Sequence, residues 1–171
     1  MKIPDAIKAL ETALEAEKQG LQTYLNFAYQ TKDESGKNMF IRLASDEFEH
    51  MTILEKQKMS VAEKECWINV KIAASEIEKL VPKIKEKTKK VRGTEGLDQL
   101  LALRTALELE DNAIKFYREQ EQKSTDPKAK EMYRRLRKME QAHYELIQAE
   151  IDYIEKTGFW FNLREFSLEL E

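Results

Sequence analysis

The chain repeats itself at an offset of 93 residues, and this repeat constrains the fold more than any other feature. The segment ALEAEKQGLQTY (13–24) aligns without a gap on ALELEDNAIKFY (106–117). From Leu10 to Asn69, sixteen of the sixty aligned positions are identical. The identical pairs include both histidines and both tryptophans of the chain: His50 with His143, and Trp67 with Trp160. Two copies of one unit indicate two similar halves, because a solenoid needs at least three repeats.

Each copy is typical of a pair of long helices. Charged residues make up 36% of the chain, mostly Glu and Lys, and only five Gly and three Pro are available for turns. Glu and Lys favour helices, and apolar residues recur at the three-four spacing of a buried helical stripe. We expect four long helices: about 5–31, about 35–64, one that begins near Leu97, and one that Asp126 caps, Pro127 opens and Gly158 ends.

The links between these helices predict an all-α four-helix bundle. Short links within each pair favour antiparallel neighbours, and the long link between helices two and three predicts a crossover that contains a further helix at about 74–90, weakened or kinked at Pro82. We expect one domain over 1–171: repeat one at about 5–69, a connection at about 70–96, repeat two at about 97–162 and an aromatic tail at 159–171 that packs back on the protein. A long connection also permits exchange of helix pairs between two chains.

Carboxylates stand on the apolar stripes of all four long helices, near mid-length. Glu17 and Glu110 replace an expected Leu, and the two other helices carry Glu47-x-x-His50 and Glu140-x-x-His143. Residues at i and i+3 lie on the same helical face. An isolated buried carboxylate is costly, and no Lys or Arg shares these stripes near mid-height. Two divalent cations would balance four carboxylates, so the pattern predicts a two-metal site.

The predicted ligands are one glutamate from each of two helices and a Glu-x-x-His pair from each of the other two, which is the ligand arrangement of ferritin-like di-metal proteins. The predicted metal-binding and catalytic residues are therefore Glu17, Glu47, His50, Glu110, Glu140 and His143. Oxygen and nitrogen ligands favour iron or manganese, with zinc as an alternative. Tyr24 and Tyr117 follow two turns later and are expected to be core residues whose hydroxyls need partners. The alternative is a helical interaction module that binds no metal and catalyses no reaction.

These motifs together resemble the rubrerythrin group of the ferritin-like superfamily. The resemblance rests on Glu17 with Tyr24, Glu47-x-x-His50, Glu110 with Tyr117, and Glu140-x-x-His143. It implies a ferritin-like bundle that holds two iron ions in a non-haem Fe–O–Fe type centre. By position, Glu47 and Glu140 would bridge the ions, and the other four residues would each bind one ion.

The same resemblance implies an oxidoreductase that reduces hydrogen peroxide or dioxygen, and a homodimer in which helix pairs are exchanged in some members. A ferroxidase or an iron-handling protein without multiple turnover is the alternative. Two departures bear on this choice. The sequence has one cysteine, not the four of a rubredoxin-like site, so electrons are expected from an external donor such as a rubredoxin. Ala113 stands where rubrerythrins carry a further glutamate ligand, and its repeat mate is Gly20.

Charge and hydropathy exclude other classes of function. The net charge is −3 with both signs mixed, so we expect no nucleic-acid partner. No apolar run is long enough to span a bilayer, and the N-terminal segment lacks the apolar stretch of a signal peptide. With a single cysteine, Cys66, the chain forms no internal disulfide. We therefore expect a cytoplasmic protein.

Overall fold

A computed structural model describes residues 2–87 and 97–160, with side chains placed for 2–81 and 99–160. Five α-helices and no strand occur in these ranges. They are α1 (Ile3–Gln30), α2 (Glu34–Lys64), α3 (Glu76–Lys87), α4 (Leu97–Lys123) and α5 (Pro127–Thr157). The four long helices are those predicted from the repeat, and α3 lies in the connection between the two pairs. The predicted all-α, ferritin-like bundle is confirmed.

The helix ends follow the repeat. Asp33 caps α2 by accepting hydrogen bonds from the Ser35 and Gly36 amides. Its repeat mate Asp126 caps α5 in the same way. Gly158 ends α5 with φ of 79°, and the mate position, Glu65, ends α2 with φ of 51°. Equivalent caps give α2 and α5 the same length of 31 residues, so their Glu-x-x-His motifs lie at the same height.

Packing follows the two helix pairs. Helix α1 lies along α2, and α4 lies along α5. Helices α1 and α4 approach each other less extensively, which leaves space between the two pairs. Helix α3 packs on α5 and continues through Pro82. The remainder of the helix predicted at 74–90 lies outside the described residues.

Two apolar clusters form the core, and each contains one tryptophan. One cluster contains Tyr24, Phe40 and Trp160. The other contains Tyr117, Tyr133 and Trp67, with Tyr133 at the repeat position of Phe40. The buried ionisable residues contact both clusters. Tyr24 of the first cluster donates a hydrogen bond to Glu110, and Tyr117 of the second donates to Glu17.

The three-four spacing of α1 predicts a buried stripe of Ile7, Leu10, Leu14, Glu17, Leu21 and Tyr24, and the observed buried face differs from it. Leu10, Glu17 and Tyr24 are buried as predicted, but Ile7, Leu14 and Leu21 are only half-buried. Small residues occupy the rest of the buried face: Ala6, Ala9, Ala13, Gly20 and Ala28. Because these residues are small, α1 packs close to its neighbours. Ile7, Leu14 and Leu21 therefore lie at the edge of the buried face.

Little of the predicted tail lies within the described residues. Phe159 is exposed, whereas Trp160 is buried against Phe40, with ring centroids 5.7 Å apart. Trp160 also donates a hydrogen bond through Nε1 to Gln99, at 2.9 Å. The predicted packing of 161–171 falls outside the described part of the chain. None of the helices described is long and apolar enough to cross a membrane.

Candidate metal centre

The structure brings all six predicted ligands together inside the bundle. Each of them is at most 4% exposed. They come from all four long helices: Glu17 from α1, Glu47 and His50 from α2, Glu110 from α4, and Glu140 and His143 from α5. Residues three apart share one face of a helix, so each Glu-x-x-His motif directs both side chains inward.

Donor atoms of these residues fall into two overlapping groups, each within 4.8 Å. The first group is Glu17, Glu47, His50 and Glu140, and the second is Glu47, Glu110, Glu140 and His143. Glu47 and Glu140 belong to both groups. Two adjacent positions that share two carboxylates form a site for a pair of ions.

Each histidine directs its Nδ1 atom at three carboxylates. From His50 Nδ1 the nearest oxygens are 3.0 Å away on Glu140, 3.1 Å on Glu17 and 3.6 Å on Glu47. From His143 Nδ1 they are 3.2 Å away on Glu140, 3.5 Å on Glu47 and 3.6 Å on Glu110. Bonds of about 2.0–2.2 Å to a metal place neighbouring ligand atoms roughly 3 Å apart. The donor set therefore fits metal ions without rearrangement of the helices.

Several atoms at the centre have no hydrogen-bond partner among the described residues. These include Oε1 of Glu140 and Nδ1 of His143: each has a charged neighbour at 3.0 or 3.2 Å, but the angle forms no hydrogen bond. A buried polar atom without a partner costs about 1–3 kcal/mol. Both atoms face the shared interior of the cluster, where a cation would satisfy them, so the residues fit the metal pair that the sequence predicted.

The electrostatics of the cluster favour positive charge among its carboxylates. Burial, and then the charge of Glu47, raise the pKa of Glu17 well above its usual range. Burial also raises the pKa of Glu110, with Glu140 adding to the effect. Burial lowers the pKa of His50, but the carboxylates of Glu140 and Glu17 outweigh it and raise that pKa. The cluster thus retains protons unless cations replace them.

Two tyrosines orient the outer carboxylates, and each acts across the bundle. Tyr117 donates a hydrogen bond to Oε1 of Glu17, which leaves Oε2 facing His50. Tyr24 donates to Oε1 of Glu110, which leaves Oε2 facing His143. Burial and the neighbouring carboxylates raise the pKa of both phenols, so they remain donors. The hydroxyls therefore have the partners that their buried positions required.

Asp46 contributes a contact that was not predicted. Its Oδ2 lies 3.0 Å from Nε2 of His143, on the side of the ring opposite the cluster. A carboxylate at this place fixes the tautomer and orientation of a metal-binding histidine. One sequence feature could have indicated this contact. Asp46 directly precedes Glu47, so it lies about 100° around α2 from the buried glutamate, where a side chain can meet the adjacent helix.

A cavity of about 270 Å³ leads to the cluster between α1 and α4. Exposed residues line its outer part, including Gln19 and Asn112, and all four site glutamates line its inner part. Gly20 and Ala113 also line the cavity. Because these two side chains are minimal, small molecules have a route from the surface to the carboxylates.

Comparison with known proteins agrees with the geometry. The family model described as rubrerythrin matches residues 8–151, which include all six residues of the cluster. No curated protein and no solved structure matches the chain. Since the match spans most of the sequence, the chain belongs to the rubrerythrin family, a ferritin-like di-iron family.

Proposed function

We propose that the protein is a non-haem di-iron oxidoreductase that reduces hydrogen peroxide, or dioxygen, with electrons from an external donor. The observation that carries the proposal is the pair of four-residue donor groups that share Glu47 and Glu140. Shared carboxylates would hold two ions next to each other, as a two-electron reduction of one small oxidant requires. Peroxide reduction then balances as H₂O₂ with two electrons and two protons giving two waters.

The proposed ligand roles follow from these groups. Glu47 and Glu140 would bridge the ions, Glu17 and His50 would hold one of them, and Glu110 and His143 would hold the other. Two ferrous ions bound there would supply the two electrons. The protein's own residues orient the site: the two tyrosines fix the outer carboxylates, and their phenols are held protonated by burial.

Cavity size supports a small oxidant. A volume of about 270 Å³ has room for roughly nine waters, since one water occupies about 30 Å³ in the liquid, and so for peroxide or dioxygen. Leu109 and Phe116 contribute apolar walls near the site.

An iron-oxidising or iron-handling role is the second candidate. The observation that favours it is the near symmetry of the cluster: each half contributes one outer glutamate, one tyrosine and one Glu-x-x-His pair, and Ala113 supplies no further ligand. A protein of this kind would bind and oxidise ferrous iron, and then release or store it without repeated turnover.

The deciding experiment is anaerobic loading with two ferrous ions per chain, followed by rapid mixing with hydrogen peroxide or with dioxygen. Faster oxidation than that of free ferrous iron, sustained when rubredoxin and a reductant are added, supports the oxidoreductase. A single round of oxidation followed by iron release supports the second candidate. No acceleration over free iron rejects both activities.

Glu47→Gln tests whether the cluster is responsible, because it removes one shared carboxylate while preserving its shape. Glu49→Gln is the matched control, since Glu49 is exposed two residues further along the same helix. The first substitution should abolish tight binding of two ions, and the second should change neither iron content nor rate. Equal effects of the two substitutions would contradict the assignment of the site.

A further inference from the structure

The two histidines of the cluster differ in what their outer nitrogens contact. Both rings are fully buried, and both direct Nδ1 at the carboxylates. Nε2 of His143 is 3.0 Å from the Asp46 carboxylate. Nε2 of His50 has no hydrogen-bond partner among the described residues. The rings are nearly parallel, with centroids 5.6 Å apart, so the difference lies in the outer contact and not in the orientation.

The sequence repeat explains this inequality. At the offset of 93, Asp46 falls on Met139. Met139 is fully buried and carries a thioether, which is at best a weak acceptor of a hydrogen bond. The half of the cluster that contains His50 therefore lacks the carboxylate that the half with His143 has.

An outer carboxylate changes how a histidine binds a metal. When Nε2–H donates to a carboxylate, the proton is held on Nε2, so the lone pair of Nδ1 faces the metal and becomes more basic. If His50 binds through Nδ1, its Nε2–H remains buried without an acceptor. That costs free energy in the bound state, whereas His143 carries no such cost.

We propose that the two metal positions are unequal: the position with His143 retains its ion, and the position with His50 holds an exchangeable one. Asp46 is the positioning residue that makes the difference. This inference rests on the metal binding in the proposed function, but it does not depend on which oxidant is reduced. It implies that the His143 position fills first on loading and that iron is lost first from the His50 position.

The test uses ferrous iron alone and a coloured ferrous chelator. Protein loaded anaerobically with two ferrous ions is mixed with excess chelator, and the release of iron is followed by absorbance. Two phases of equal amplitude are expected, with rates that differ by about 10–100-fold, the usual effect of removing an outer partner of a metal ligand.

Variants assign each phase. Asp46→Ala should accelerate the slow phase by about 10–100-fold and leave the fast phase unchanged. Asp46→Asn should recover part of the slow phase, because an amide oxygen still accepts from Nε2–H. Met139→Asn should slow the fast phase, because it offers His50 the acceptor it lacks. Met132→Asn is the control, since it places the same group at another buried methionine of α5, two helical turns before Met139.

Release of both ions in one phase from the unsubstituted protein would overturn the inference. So would equal acceleration of both phases in Asp46→Ala, or an unchanged fast phase in a folded Met139→Asn variant that still binds two ions. A protein that binds no ferrous iron at all would instead reject the proposed function. The failure of the two proposals is therefore distinguishable.

Discussion

Tyr117 donates a hydrogen bond to the carboxylate of Glu17, which lies 100 positions earlier in the chain and in the other sequence repeat. The reciprocal bond joins Tyr24 to Glu110. Each tyrosine thus packs in one of the two apolar clusters, both of which contain residues of the two repeats, and donates to an outer carboxylate of the other repeat. These two bonds connect the halves at the level of the cluster, where α1 and α4 otherwise leave a cavity.

Removal of either phenol hydroxyl should destabilise the metal-free protein. Tyr117→Phe and Tyr24→Phe each leave a buried carboxyl oxygen without its donor, so we expect a loss of about 1–3 kcal/mol in the free energy of unfolding. Urea unfolding measures it. Tyr133→Phe is the control, because its buried hydroxyl has no partner among the described residues and its removal should cost less than about 0.5 kcal/mol. Equal losses in all three variants would contradict the hydrogen-bond explanation.

Neutral replacements of the outer glutamates should separate stability from metal binding. Burial raises the pKa of Glu17 and of Glu110, so glutamine resembles the protonated form that the metal-free protein favours. We expect Glu17→Gln and Glu110→Gln to leave the metal-free unfolding temperature unchanged or higher. Ferrous iron at about 1,000 times its Kd should stabilise the unsubstituted protein by about 4 kcal/mol, and most of this gain should be lost in the variants. Thermal unfolding under anaerobic conditions measures both quantities, and a variant with the full gain would contradict a ligand role.

The cluster of six ionisable residues was predictable because it depends on features that one helix carries by itself. A glutamate on an apolar stripe and a Glu-x-x-His pair each define a face, and the repeat places these faces at one height. The structure brings the six residues together as the pattern predicted.

Contacts between helices were less predictable. Tyr24 lies on the same stripe as Glu17, yet it bonds to Glu110 of the other half. Asp46 looks like any surface acid in a charged helix, yet it reaches His143 of α5. Such partners depend on the rotation and axial shift of one helix relative to another, and the periodicity of a single helix contains neither. For the same reason the predicted buried face of α1 was centred on its large apolar residues, whereas its small residues are the more deeply buried ones.

Two helical glycines should respond in opposite ways to alanine. A Cβ at Gly20 would lie 3.4 Å from Cδ of Glu47, an ordinary contact, so Gly20→Ala should gain about 0.5–1 kcal/mol from helix propensity. A Cβ at Gly36 would lie 2.6 Å from the Trp160 ring, so Gly36→Ala should lose about 1–3 kcal/mol through overpacking. Urea unfolding tests whether the first substitution stabilises and the second destabilises the protein.

The added methyl of Gly20→Ala also narrows the cavity, so oxidation by peroxide should become slower while iron content stays the same. An unchanged rate would place the route for the oxidant elsewhere.

Two arginines at equivalent repeat positions attach α3 to the bundle, but they should differ in strength. Arg135 makes a bidentate contact to Glu78 and donates to the carbonyl of Ala73 at 2.8 Å, and both charged side chains are mostly buried. Its mate Arg42 contacts Glu76, which is 78% exposed. Arg135→Ala should cost about 2–3 kcal/mol and Arg42→Ala less than about 1 kcal/mol, measured by urea unfolding. Equal costs would mean that burial does not strengthen the Arg135 contact.

The Glu78 contact should also make stability depend on pH. Burial raises the pKa of Glu78, but the hydrogen bonds from Arg135 outweigh it and hold that pKa below the usual range. A group whose pKa is lower in the folded protein stabilises it above the unfolded value, about 4.3 for glutamate, and loses this contribution as the pH falls through the folded value. The difference in unfolding free energy between the unsubstituted protein and Glu78→Gln should therefore be largest near pH 7 and should shrink below about pH 4. Urea unfolding of both proteins at pH 7, 5, 4 and 3 measures this difference, and Glu76→Gln serves as the exposed control. A difference that grows as the pH falls would show that Glu78 is not stabilised by Arg135 as a carboxylate.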